Sequence, residues 1–129
     1  MIVFATREGR VGAVTSSGYK IDDIVPFVAL PSVAALGMFI RVTNPNNNKS
    51  CFAIVLDVGP WNEHDDEYVF KGARPLSEKG ISKSMKGTNK AGIDLSESVW
   101  HKLEMKDNGN VDWKFIEDSG SDESGLETD

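Results

Sequence analysis

A single small domain built mainly of β-structure is predicted by three features of this sequence. Its 129 residues suffice for one core and not for two of ordinary size. Twelve Gly and five Pro are scattered rather than clustered, which calls for many tight turns. Two β-prone runs, 38–43 and 51–56, flank a stretch of almost pure turn chemistry, the mark of a hairpin. An apolar content of 40% with six Phe supplies a globular core.

Taken in order, residues 2–5 are β-prone, and Arg10 to Val14 read as a second short strand. Thr15-Ser16-Ser17-Gly18-Tyr19 is a polar turn. Phe27-Val28-Ala29-Leu30 is apolar enough for a buried strand, ended by Pro31. Ser32 can then cap a helical turn over Val33 to Leu36, with Gly37 where a left-handed residue is wanted. The hairpin follows, its turn running from Asn44 to Ser50. Residues 58–92 are polar, Gly-bearing and without clear periodicity, so they read as one long loop. A loop of that length in a compact domain is usually functional or mobile. Ile93-Asp94-Leu95 is a very short strand. Ser96 is an N-cap, and Val99, Trp100 and Leu103 fall at helical spacing, predicting an amphipathic helix over 97–105. Asn108-Gly109 turns the chain into a last strand, Val111 to Ile116, with Val111, Trp113 and Phe115 on one face. The segment 117–129 is poor in apolar residues and is expected to be disordered, so the domain is 1–116.

The charge pattern narrows the partners. Residues 117–129 carry six of the 20 acids and no base, so the remaining 14 acids balance 14 bases. A neutral body without a basic stripe argues against nucleic acid, which needs several Lys or Arg to displace counterions. Cys51 stands alone, which excludes an intramolecular disulfide; it is expected to be buried and inert. The N-terminal residues lack a basic lead and meet Glu8 early, unlike a signal peptide, and no apolar run reaches membrane length. His64-Asp65-Asp66 with Glu63 and Glu67 is contiguous and lacks metal-ligand spacing, so a solvated acidic loop is expected, with no metal and no cofactor.

Three segments carry a family resemblance. Arg41 to Ser50 looks like the first hairpin of rare-lipoprotein-A-like domains. Leu56-Asp57-Val58-Gly59-Pro60 looks like the strand end and turn that follow it, and Gly92-Ile93-Asp94-Leu95-Ser96 like that family's second hallmark. Order and spacing agree apart from a longer 61–91 insertion, and the match runs from about Ala5 to Ile116. The resemblance implies a six-stranded double-psi β-barrel with one or two short helices. Relatives include lytic transglycosylases, expansins, barwin-like proteins and family-45 endoglucanases, all of which handle glycan chains. It also implies a peptidoglycan or other glycan partner, periplasmic or extracellular action, and no membrane insertion; a monomer is expected. Tyr19 stands where the enzymes carry Glu after the Ser-Gly turn, Asp22 falls at their later acidic position, about Leu30 or Pro31 replaces their His, and Val58 replaces the common Arg.

The resemblance makes Asp94 the general acid and Asp22 the second catalytic acid, both expected to converge in one groove. Cleaving a glycosidic bond needs a proton on the leaving oxygen, and partial burial would raise Asp94 toward neutral pH. The structural alternative for Asp94 is a carboxylate accepting backbone amides beside Ser96; for Asp22, with Asp23 beside it, a solvated turn; for Asp57, a turn cap. Trp61 offers a flat face suited to a sugar ring. Tyr68 reads as a plug of the barrel end instead. Tyr19, Asp57, Asn62, Thr88 and Asn89 complete the expected substrate-binding set. Three readings follow: a peptidoglycan-cleaving enzyme, a non-catalytic wall-binding module of the expansin and barwin kind, and a bare scaffold.

Overall fold

The structure, a computed structural model, describes residues 1–9 and 11–116. Six strands form it: β1 (Ile2–Arg7), β2 (Phe27–Leu30), β3 (Phe39–Asn44), β4 (Lys49–Val58), β5 (Ile93–Leu95) and β6 (Gly109–Phe115). They close in the order β1-β5-β2-β4-β3-β6. β1 runs parallel to β5, and β2 parallel to β4, while the other neighbours are antiparallel. Two parallel pairs among six short strands force long crossovers, so segments far apart in sequence lie side by side. This is the six-stranded double-psi barrel expected, with two short helices, α1 (Asp66–Lys71) and α2 (Glu97–Lys102).

Strand alternation fills the interior. Val3 and Ala5 of β1 point inward, as do Ile40 and Val42 of β3 and Ile93 and Leu95 of β5, all at most 1% exposed. The 39–54 hairpin forms as read, with Phe39 opposite Ile54 and Asn44 opposite Lys49, so the strands reach further into the turn than Thr43 and Cys51. Ser32 caps a 3-10 turn, Val33–Ala35, by accepting from the Ala34 amide at 3.2 Å. Ser96 caps α2 by accepting from the Val99 amide at 3.3 Å, and the helix stops at Lys102, short of 105. Cys51 is only half-buried, on the barrel wall.

Two segments differ from the reading above. Residues 11–14 do not form a strand, and Arg10 lies outside the described residues: Gly12 and Gly18, at φ 95° and 88°, fold the chain back on itself, leaving one bridge between Val14 and Lys20. The 58–92 segment is not one open loop. β4 extends to Val58, α1 follows, and Leu76–Lys79 makes a 3-10 turn. At six residues α1 is too short for a periodic stripe, and its local signals are Asp66 and Glu67 in the first turn, Lys71 in the last and left-handed Gly72 after it. Nor is the acidic run there fully solvated. Asp65 is 3% exposed and accepts from the Leu76 amide at 2.8 Å, while Asp66 accepts from the Ser32 hydroxyl at 2.6 Å. The first bond holds the insertion together; the second, with the Asp65 amide donating to the Pro31 carbonyl at 2.8 Å, docks it beside β2. The segment 117–129, expected to be disordered, lies outside the described residues.

Tyr68 locks the insertion in place. Its hydroxyl donates to the Gly92 carbonyl at 2.9 Å and accepts from Trp113 Nε1 at 2.7 Å, fully buried. Space there is tight: a Cβ on Gly92 would lie 3.0 Å from both the Tyr68 hydroxyl and the Pro75 ring. Tyr68→Phe orphans both partners inside the core. It is expected to cost about 2 kcal/mol in urea unfolding, the penalty for unsatisfied buried groups, and a loss below about 0.5 kcal/mol would contradict this role.

Candidate functional site

Asp94, at the centre of β5, is flanked by Thr6 of β1 on one side and Ala29 of β2 on the other. Ala29 in turn lies opposite Asp57 of β4. That last pairing depends on a bulge: Val28 faces Val55, and the register then skips Leu56, which would otherwise oppose Ala29. Residues paired in register share a face, so Thr6, Asp94, Ala29 and Asp57 form one row across four strands. The flanking Ile93 and Leu95 point into the core, which puts the row on the outer surface of the barrel.

Glu8 completes the row. It follows β1 directly, and its amide donates to the Leu95 carbonyl at 2.7 Å, carrying the β1–β5 ladder one residue further. Its carboxyl lies near enough to Asp57 and Asp94 for both to act on its proton affinity. Ala29, with only a methyl group between the two aspartates, leaves room for it. Burial first, then Asp57 and Asp94, raise the Glu8 carboxyl to about 9, so it is neutral at pH 7 and acts as a proton donor. Burial also raises Asp94, to about 6, against the opposing pull of the Thr6 hydroxyl and Glu8. Asp57 goes the other way. Burial pushes it up, but Glu8 and the amides of Ser16 and Val58, each at 2.9 Å, outweigh that and hold it below its usual value. The arrangement is a neutral Glu8 beside two aspartates that are ionised at neutral pH.

The other expected residues are placed differently. Asp22 does not meet Asp94. Its Oδ1 accepts from the amides of Ile24 and Val25 at 2.9 and 3.1 Å, closing its own exposed turn, and Tyr19 with those amides lowers its pKa. The neighbours of β5 are β1 and β2, so the Tyr19–Asp22 segment does not pair with it. The Tyr19 ring packs edge-on against Phe27 at 5.5 Å. Asn62 is buried and spends its amide on the Ile81 carbonyl at 2.9 Å, and Thr88 donates to the Ser77 carbonyl, so both tie the insertion together. Trp61 and Asn89 do come together: the indole N–H donates to Asn89 Oδ1 at 2.7 Å, leaving the ring 36% exposed. Among the described residues no group of three His, Cys, Asp or Glu is placed to hold a metal ion.

Glu8 and Thr6 went unrecognised in the sequence. Thr6 follows the strand alternation of β1 and carries no signal of its own. Glu8, between Arg7 and Gly9, reads in the sequence as an ordinary solvated acid beside a base.

The raised Glu8 value has a stability consequence of definite sign. An unfolded Glu loses its proton near pH 4.5, whereas folded Glu8 keeps it to about 9, so the folded state binds the extra proton in between and its stability falls as pH rises. Asp94 acts in the same sense over a lower window, ending at about 6. The thermal midpoint is therefore expected to drop between about pH 6 and about 9 in the parent protein, and Glu8→Gln is expected to flatten that slope. An unchanged slope in Glu8→Gln would show that Glu8 does not hold the proton.

The fold and its row can be set beside known proteins. No curated protein matches the chain. Among solved structures, Streptomyces papain inhibitor is 20% identical, with a TM-score of 0.51 over 90% of this chain and 93% of that one. Cerato-platanin 3 from M. perniciosa is 9% identical, with a TM-score of 0.50 over 94% of this chain and 98% of that one. At such identities the likeness is one of fold alone. The resemblance seen in the sequence thus holds for the barrel fold, with no family match to rare lipoprotein A. Residues 1–81 match a described family over more than half of the chain. The chain belongs to the family described as Domain of unknown function (DUF8814).

Proposed function

We propose that this barrel is a non-catalytic glycan-binding module of the expansin-like kind, acting on cell-wall polysaccharide. The observation that carries this reading is that each aspartate of the row already has a protein partner. Asp94 accepts from the Thr6 hydroxyl and Asp57 from two amides, and neutral Glu8 stands beside both. A general acid has to offer its proton to a leaving oxygen, whereas Asp94 is ionised at neutral pH. Ionised Asp94 and Asp57 retain lone pairs that can accept sugar hydroxyls. The Trp61 ring, fixed by Asn89 four residues beyond Asp57, offers the apolar face of an indole to a pyranose ring. The resemblance seen in the sequence and the closed six-stranded barrel support this at the level of fold.

An enzymatic reading, with peptidoglycan as the substrate, has one observation in its favour: a carboxyl that is neutral near pH 7 beside an ionised carboxylate is the pairing glycosidases use. In that case Glu8 would be the acid, with Asp94 beside it.

Sedimentation with insoluble wall polysaccharides separates the two. The protein is expected to co-sediment without releasing anhydro-muropeptides or new reducing ends, and Trp61→Ala is expected to bind about tenfold more weakly, the size of one lost aromatic contact. Release of product that disappears in Glu8→Gln or Asp94→Asn would replace the binding reading with the enzymatic one.

A further inference from the structure

A groove on the outer face of β1, next to the carboxylate row, has no role in the proposed function. Its volume is about 460 Å³, within the range of small-ligand sites, and Ile2 and Phe4 form its floor. Both lie on the same strand face as Thr6, Phe4 being two residues from it, so the groove continues the row along β1. The far wall comes from the insertion, and Asn89, which holds the Trp61 indole, is part of it. The groove therefore borders both the row and the proposed aromatic platform.

Its polar groups are unevenly matched. Glu78, the one carboxylate of the lining, is bound by both ends of the Arg74 guanidinium. Lys90 has no carboxylate partner among the described residues, and the side-chain N–H groups of Asn89 and Asn110 have no acceptor there either. The groove thus presents spare donors and one spare positive charge over an apolar floor. Trp61 and Lys90 are both held at left-handed φ, 70° and 71°, a conformation that bulky residues seldom adopt without a reason in the surroundings. They flank the Trp61–Asn89 hydrogen bond.

Resting on the glycan-binding reading, we infer that this groove is a subsite for a carboxylated sugar, a hexuronate unit within the bound chain. The apolar face of the sugar lies on Phe4 and Ile2, its hydroxyls meet Asn89 and Asn110, and its carboxylate meets Lys90. A neutral sugar would leave the Lys90 charge unused.

Calorimetric titration of the full chain with an oligogalacturonate and with a cello-oligosaccharide of equal length tests this. The uronate oligomer is expected to bind more tightly. Lys90→Gln is expected to weaken it about tenfold while changing the neutral oligomer by less than about twofold. Asn110→Ala is expected to weaken both. Lys114→Gln, which removes the same charge from another face, is expected to leave both unchanged. Equal binding of the two oligomers, or equal losses in Lys90→Gln and Lys114→Gln, would overturn the subsite and leave glycan binding standing. Failure of both oligomers to bind would overturn the two readings together.

Discussion

Three carboxyl groups, from residues 8, 57 and 94, meet on the barrel wall and shift one another's proton affinity. Like charges this close cannot all ionise, so one group has to keep its proton, and burial selects Glu8. Once neutral, Glu8 no longer repels the two aspartates. The cluster depends on this single proton. With it, Asp57 is held ionised below its usual range and Asp94 is held near 6.

The fold supplies what the cluster needs. Parallel pairing of β1 with β5 puts Thr6 beside Asp94, and parallel pairing of β2 with β4 puts Asp57 in the same row. The bulge at Val28/Ala29 turns Asp57 to the outer face in place of Leu56, and the small Ala29 leaves space between the aspartates. Core and site are thereby separated by strand alternation: Ile93 and Leu95 stabilise the interior while Asp94 between them faces the polar row. The insertion, docked through Asp65, Asp66 and Tyr68, brings Trp61 and Asn89 to the neighbourhood of β1.

Elements with a local signature were legible in the sequence. The hairpin around Asn44–Lys49, the Ser32 and Ser96 caps and the short β5 strand are written in turn residues, capping oxygens and β-branched runs, and the structure has them. The double-psi class came through spaced motifs, since no local pattern reports a parallel pairing between residues 5 and 93. The strand expected over 10–14 is absent from residues 11–14 because Gly12 permits a reversal that its apolar neighbours conceal, and α1 gave no periodic signal because six residues carry too few turns. The sequence singles out Asp94 as the acid and Asp57 as a binding residue, but motif spacing puts the second acid at Asp22 and leaves Glu8 unmarked. Glu8 owes its place to a bulge and a small residue on two other strands, which are long-range facts. Asn62 and Thr88 looked like surface donors because nothing in their neighbourhood shows that the Ile81 and Ser77 carbonyls need them.

Binding and chemistry both turn on whether Glu8 holds its proton. Carbon-13 detected titration of the carboxyl groups in the folded protein measures this directly, group by group. Glu8 is expected to remain protonated at pH 7 and to titrate last, near 9, after Asp94 has ionised near 6 and with Asp57 already charged. A Glu8 carboxyl that ionises in the ordinary range alongside the two aspartates would contradict a cluster built on a neutral Glu8.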